Sequence, residues 1–328
     1  MAIGHESLRR YGGYPDLLMK EHRRRNLSLV FRDLHGDLQI DPLTIELPIV
    51  TTNKRGPGAT STVRKGVRHG ALASSACTRR EVNELRIEPL KNLSPEECKV
   101  QARSIRQLLG NPEAYLDRYV EIFGNEIGSD NAAELFPDYS ASREARRANR
   151  IAVARSAAWV SHEVFRRRIL ERDAQVVLFT AGGTGSGKST FAANLCKADC
   201  IVFDSTFSDT AGHGALVEEA LKAQCKVMIV YIFRDPLAAY TATLKRAAEE
   251  ACGRTITPRT HARTHEGAAR TVKYLSGRYA DNPKVAFRFI DNADWNPCVG
   301  SIELTSRGDY TDLTAKIQAL DVKLHNLT

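Results

Sequence analysis

Residues 182–189, Gly-Gly-Thr-Gly-Ser-Gly-Lys-Ser, constrain this chain more than any other stretch, because they fit the pattern G-x-x-x-x-G-K-[ST]. An apolar run from Val176 to Phe179 leads into them and reads as a buried strand, while the residues from Phe191 onward suit a helix. Strand, glycine-rich turn and helix are the context in which this pattern cradles a triphosphate. Gly182, Gly183, Gly185 and Gly187 let the backbone curl so that its N–H groups, with those of Thr184, Ser186 and Thr190, face an anion. The helix N-terminus adds positive potential. Lys188 is expected to reach the β- and γ-phosphates, and Ser189 to ligate Mg²⁺. A glycine-rich turn in an ordinary α/β unit is the plain alternative, and the full pattern in its full context argues against it.

The rest of the chain supplies the setting. Its 328 residues, 42% of them hydrophobic, allow a substantial core and about two domains. A formal charge of +8 favours anionic partners without choosing among nucleotide, nucleic acid and acidic protein. Seven scattered cysteines, an odd number, argue for reduced thiols and a cytoplasmic site of action. Cys196 and Cys200 lack a matching second pair, so buried small residues are the better reading than a metal site. No apolar run is long enough to span a bilayer, so no membrane partner is expected. A secretion signal of the kind injected effectors use would escape this test.

Residues 1–90 read as a basic, partly irregular N-terminal region, with weak alternation over 37–50 and an acid-free basic stretch over 51–70 that suits a loop. Residues 91–173 read as helical. Ser94 to Glu97 form a capping box, Asn111-Pro112 opens a second helix ending near Gly124, and a third covers 141–172. Val153, Ala157, Val160 and Val164 mark the buried face of that third helix. Its arginines (146, 147, 150 and 166–168) read mostly as a solvated face. From 174 to 328 strands alternate with helices. Cys200 to Asp204, Lys226 to Phe233 and Lys284 to Asp291 read as strands, with a further one expected from Val299. The fold class expected is α/β, a P-loop NTPase-type, mostly parallel sheet flanked by helices, with ligands at the carboxyl ends of the strands.

Among P-loop chemistries a GTPase fits poorly. Asp209-Thr-Ala-Gly imitates a switch motif but lies beyond the strand ending at Asp204, and reads as a turn; no guanine-reading motif follows. A kinase fits better, since phosphoryl transfer needs a carboxylate for the attacking hydroxyl and cations for the transferred group. Asp204 at a strand end suits Mg²⁺ or the acceptor, and Arg246 and Arg254 suit a lid over the phosphates, against a plain reading of surface charge. Asp235 reads as a helix cap beside Pro236, and His261 and His265 as exposed lid residues rather than zinc ligands.

The segment from Val176 to Asn292 resembles the zeta-toxin-like P-loop kinases, whose best-known members phosphorylate the sugar of UDP-N-acetylglucosamine. The resemblance lies in the run Ala181 to Thr190, in the strand Ile201 to Thr206, and in Arg246 and Arg254-x3-Pro258. It implies ATP and Mg²⁺ as cofactors and a nucleotide or nucleotide sugar as acceptor. It further implies a toxin or effector role with a small antitoxin or chaperone as partner. In the family the aspartate that acts as base follows the P-loop helix, where this chain has too few residues before Asp204. A similar segment, Asp130 to Tyr139, occurs upstream, so the order is read as rearranged, with Asp130 either the base or a helix cap. A polynucleotide or dinucleotide kinase, and a nucleotide-regulated nucleic-acid-binding protein, are the alternatives that the charge would suit.

Overall fold

The computed structural model describes residues 87–171, 176–195, 200–249, 256–293 and 298–325. The β element and basic loop expected before residue 87, as well as Cys196 and Arg254, lie outside them. Two helices open the described chain. The first, α1 (Pro95–Gly110), starts with the reciprocal capping box of Ser94 and Glu97, and α2 (Pro112–Phe123) starts with Asn111 accepting from the Ala114 N–H. Each fixes a helix start by satisfying amides that the first turn leaves orphaned. A two-residue strand β1 (Glu126–Ile127) follows, then the short helices α3 (Ser129–Ala133) and α4 (Pro137–Ser140) and the long helix α5 (Arg143–Leu170).

The remainder alternates strand and helix: β2 (Val176–Ala181), α6 (Lys188–Leu195), β3 (Cys200–Asp204), α7 (Thr210–Lys222), β4 (Lys226–Phe233), α8 (Pro236–Glu249), α9 (Pro258–Arg278) and β5 (Val285–Asp291). The chain then makes β6 (Cys298–Val299), α10 (Leu304–Arg307) and α11 (Leu313–His325). The sheet order is β1-β3-β2-β4-β5-β6, parallel throughout except for β6. The fold is therefore an α/β, mostly parallel sheet flanked by helices. Such a sheet is buried on both faces, which is why β4 reads as an unbroken apolar run.

Strand alternation divides the core in two. Val177, Phe179, Ile201, Phe203 and Ile229 face α5, α7 and α9, where Phe165 of α5 meets Phe203 at 5.3 Å and Phe179 at 5.7 Å between ring centroids. Leu178, Val202, Met228 and Val230 face α6 through Phe191 and Ala192. The α5 positions expected to face inward, Val153, Ala157, Val160 and Val164, are all buried. Each large side chain so buried contributes roughly 1.5–3 kcal/mol.

Three local expectations are corrected. Asp209 does not sit in a free turn but caps α7, its Oδ1 accepting from the Ala211 N–H. The strand expected from Val299 is two residues long, because Leu304 packs under the sheet edge as part of a helical turn instead. Arg147 and Arg166 are exposed as expected, but Arg146 and Arg168 are largely covered and paired. Arg146 forks onto Glu134, Arg166 onto Glu219, and Arg168 reaches Asn125.

Candidate phosphate-binding site

The turn after β2 stands at the carboxyl end of the sheet. Gly182 there donates its N–H to Thr206 O (3.2 Å), tying the loop to the chain leaving β3. Gly185 has φ +76°, and a Cβ there would lie 2.6 Å from Thr243 Oγ1, so both conformation and space demand glycine. Asn292, just past β5, donates its side-chain N–H to Ser186 O at 2.7 Å and anchors the loop from the other side. Ser186 Oγ is buried with no hydrogen-bond partner, a donor left unmet inside an anion-shaped turn.

Lys188 opens α6 and is buried, with its Nζ donating to Gly183 O at 2.8 Å. Burial lowers its pKa to about 8, against the opposing pull of Asp204 and Asp130, while Arg246 lowers it further. The next residue, Ser189, donates Oγ–H to Asp204 Oδ2 at 2.9 Å. Thr180 on β2 donates to the other carboxylate oxygen at 2.6 Å, and its hydroxyl also accepts from the Ser205 N–H. Asp204 ends β3 directly beside β2 because the two strands pair in parallel register, Thr180 opposite Asp204. A hydroxyl and a carboxylate held together beside an ammonium form a donor set suited to a hard divalent cation carrying phosphate. The cradle, the unmet Ser186 hydroxyl and this pair all fit a magnesium nucleotide.

Asp130 lies in the first turn of α3, on the edge where β1 pairs with β3 away from β2. It does not cap the helix. Gly128 holds the cap position without a side-chain bond, and Arg150 of α5 approaches Asp130 at 3.7 Å. Two residues unseen in the sequence reading shape this corner. Tyr119 Oη accepts from the Gly128 N–H at 2.8 Å and donates to Glu126 O at 3.0 Å. Gly128 itself is pressed on β3, where a Cβ would sit 3.0 Å from Asp204 O. Arg246 is exposed in the last turn of α8. Arg143, at the start of α5, donates to the neighbouring Ala247 O at 2.7 Å and so joins the acceptor-side helices to the end of α8.

His261 and His265 correct the expectation of exposed lid residues, for both are buried on α9. Their Nε2–H groups donate to Pro236 O and Thr184 O, each at 2.9 Å, which removes those nitrogens as metal ligands. Asp235 caps α8 as expected, its Oδ1 accepting from the Leu237 and Ala238 N–H groups.

Residues 197–295 match the Zeta toxin family. Comparison with curated proteins gives no match. No helix among the described residues is long and apolar enough to cross a membrane. The matched stretch starts just after the phosphate-binding loop and runs through β3, α7, β4, α8, α9 and β5 to Asn292 and beyond. A family of P-loop, kinase-like, nucleotide-using proteins is thus joined to a loop of the required geometry. Residues 197–295, which follow the P-loop helix and hold β3 to β5, are similar to the Zeta toxin family.

Proposed function

We propose that the chain is an ATP-dependent kinase of zeta-toxin type that phosphorylates a hydroxyl of a nucleotide, nucleotide sugar or related metabolite. The observation that carries this reading is the Ser189–Asp204 bond beside the buried Lys188 in the glycine cradle, with Asp130 in the helical turn that follows β1, the strand paired with β3. One carboxylate is bonded to Ser189 and serves the metal, which leaves the other for the acceptor. Bound ATP with its Mg²⁺ supplies the phosphoryl group and part of the charge neutralisation. Lys188 and the loop amides hold the phosphates, and Ser189 with Asp204 holds the metal. Asp130 orients the acceptor hydroxyl and takes its proton. Arg246, with Arg254 from outside the described residues, steadies the transferred group.

In this reading the acceptor half of the site precedes the P-loop in the chain, a reading supported by β1, which comes before β2 in the chain and pairs with β3. The family resemblance adds a toxin or effector role and a small antitoxin or chaperone as partner. The test is incubation of the full chain with γ-labelled ATP and a metabolite extract, beside Lys188→Ala. A labelled product formed only by the intact chain identifies the acceptor. Absence of any Lys188-dependent product across nucleotide, nucleotide-sugar and dinucleotide pools overturns the reading.

A further inference from the structure

The phosphate-binding loop is gripped from behind by α9. His261, Thr264 and His265 are spaced so that they share one face of that helix. A buried imidazole is tolerated when it is neutral and hydrogen-bonded. Here each ring spends its Nε2–H on a backbone carbonyl, and the two rings lie 4.5 Å apart. Thr264 donates its hydroxyl to His261 O at 2.8 Å, which leaves its oxygen as an acceptor. The Thr184 N–H reaches that oxygen at 3.2 Å and the Thr184 hydroxyl at 2.8 Å. With His265 on Thr184 O, the N–H, the C=O and the hydroxyl of Thr184 are all held by two α9 side chains. The adjacent Gly183 lies flat on the His265 ring, and a Cβ there would fall inside the ring's van der Waals envelope. Gly183 shows no positive φ, so the ring and not the backbone forbids a side chain.

We propose that His265 and Thr264 are positioning residues that hold the phosphate-binding loop in its nucleotide-receiving shape through Thr184, and that Gly183 is glycine because of the His265 ring. The proposal rests on reading the loop as a nucleotide site. It implies that the α9 face and the loop act as one rigid unit, so the affinity for phosphate depends on residues that never touch it.

The test is a double-mutant cycle read by equilibrium titration of the full chain with Mg-ATP, alongside hydrogen exchange of the 182–187 amides in the free protein. Gly183→Ala is expected to weaken ATP binding by about tenfold or more, and Gly183→Ala with His265→Ala to recover to within about threefold of His265→Ala alone. His265→Leu, which keeps bulk but loses the donor, is expected to weaken binding about tenfold and to speed exchange at Thr184. His265→Gln, whose amide can reach the same carbonyl, is expected to restore both. A residue that only supports the fold would lower thermal stability without moving the affinity of the folded protein. Wild type that binds ATP, with additive effects in the cycle and a His265→Leu variant of unchanged affinity and exchange, overturns this inference alone. Wild type that binds no ATP overturns the nucleotide reading and this role with it.

Discussion

Ser189 Oγ donates to Asp204 Oδ2 at 2.9 Å, and this bond joins the first turn of the P-loop helix to the end of the neighbouring strand. Thr180 holds the other carboxylate oxygen, so Asp204 is oriented from both sides before any ligand arrives. A pre-oriented carboxylate loses little freedom when a cation binds, and that is the physical content of preorganisation.

Asp204→Asn keeps the shape and removes the negative charge. Turnover at saturating ATP should fall at least about a hundredfold, a loss typical of removing one charge-stabilising group. The Mg²⁺ concentration needed for half-maximal rate should rise, while metal-free nucleotide binding changes little. A magnesium titration of initial rates reads both. An unchanged magnesium requirement would remove Asp204 from the metal site.

Lys188 gives a pH signature. Burial lowers its pKa to about 8 in the ligand-free protein, so its ammonium is progressively lost above that pH. The charged form is the one that binds phosphate. ATP affinity should therefore be highest below pH 8 and weaken above it, by up to about tenfold per pH unit for a single linked proton. Titrations between pH 7 and 9.5 would show the slope, and Lys188→Ala should bind weakly with the slope gone.

Much of the fold was readable because its signals are local. The 182–189 pattern, the capping box at Ser94 and the spacing of Val153, Ala157, Val160 and Val164 each depend on neighbours within a few residues. What stayed hidden depends on which strands adjoin. Thr180 meets Asp204 only because β2 pairs with β3, and nothing around Thr180 in the sequence announces it. The α9 histidines misled for another reason. Arginines surround them, while the face they share is otherwise made of small residues such as Ala262, Ala268 and Ala269. The larger apolar residues of the α9 stripe, Val272 and Leu275, lie further along the helix, so its first turns read as polar.

Those histidines carry a second pH dependence, in stability. Burial lowers the pKa of His261 to about 4 and that of His265 well below its ordinary value, with Lys188 acting in the same direction on both. Between about pH 4 and pH 6.5 the unfolded chain therefore binds more protons than the folded one, so stability rises with pH and is lost on acidification. The slope approaches about 1.4 kcal/mol per pH unit for each histidine. Urea unfolding at pH 7, 6 and 5 should show the decline, and His261→Gln should flatten it. A curve with the same slope in that variant would place the proton uptake elsewhere.

Asp130 decides whether the acceptor half of the site precedes the P-loop. It raises the Lys188 pKa, faces Arg150 at 3.7 Å, and leaves the capping of α3 to Gly128. In the proposed reading this carboxylate, in the first turn of α3 and not at its cap position, takes the proton of the acceptor hydroxyl. Asp130→Asn should therefore lower the transfer rate by about 10²–10⁴-fold, the usual worth of a general base, with ATP affinity nearly unchanged. Asp138→Asn is the control. Arg103 donates to both carboxylate oxygens of that residue at 3.0 Å in a solvent-exposed pair, so its loss should leave transfer intact. Single-turnover rates with the acceptor identified from the extract experiment separate the two variants. Full activity in Asp130→Asn would sink the rearranged order and leave Asp204 as the candidate base.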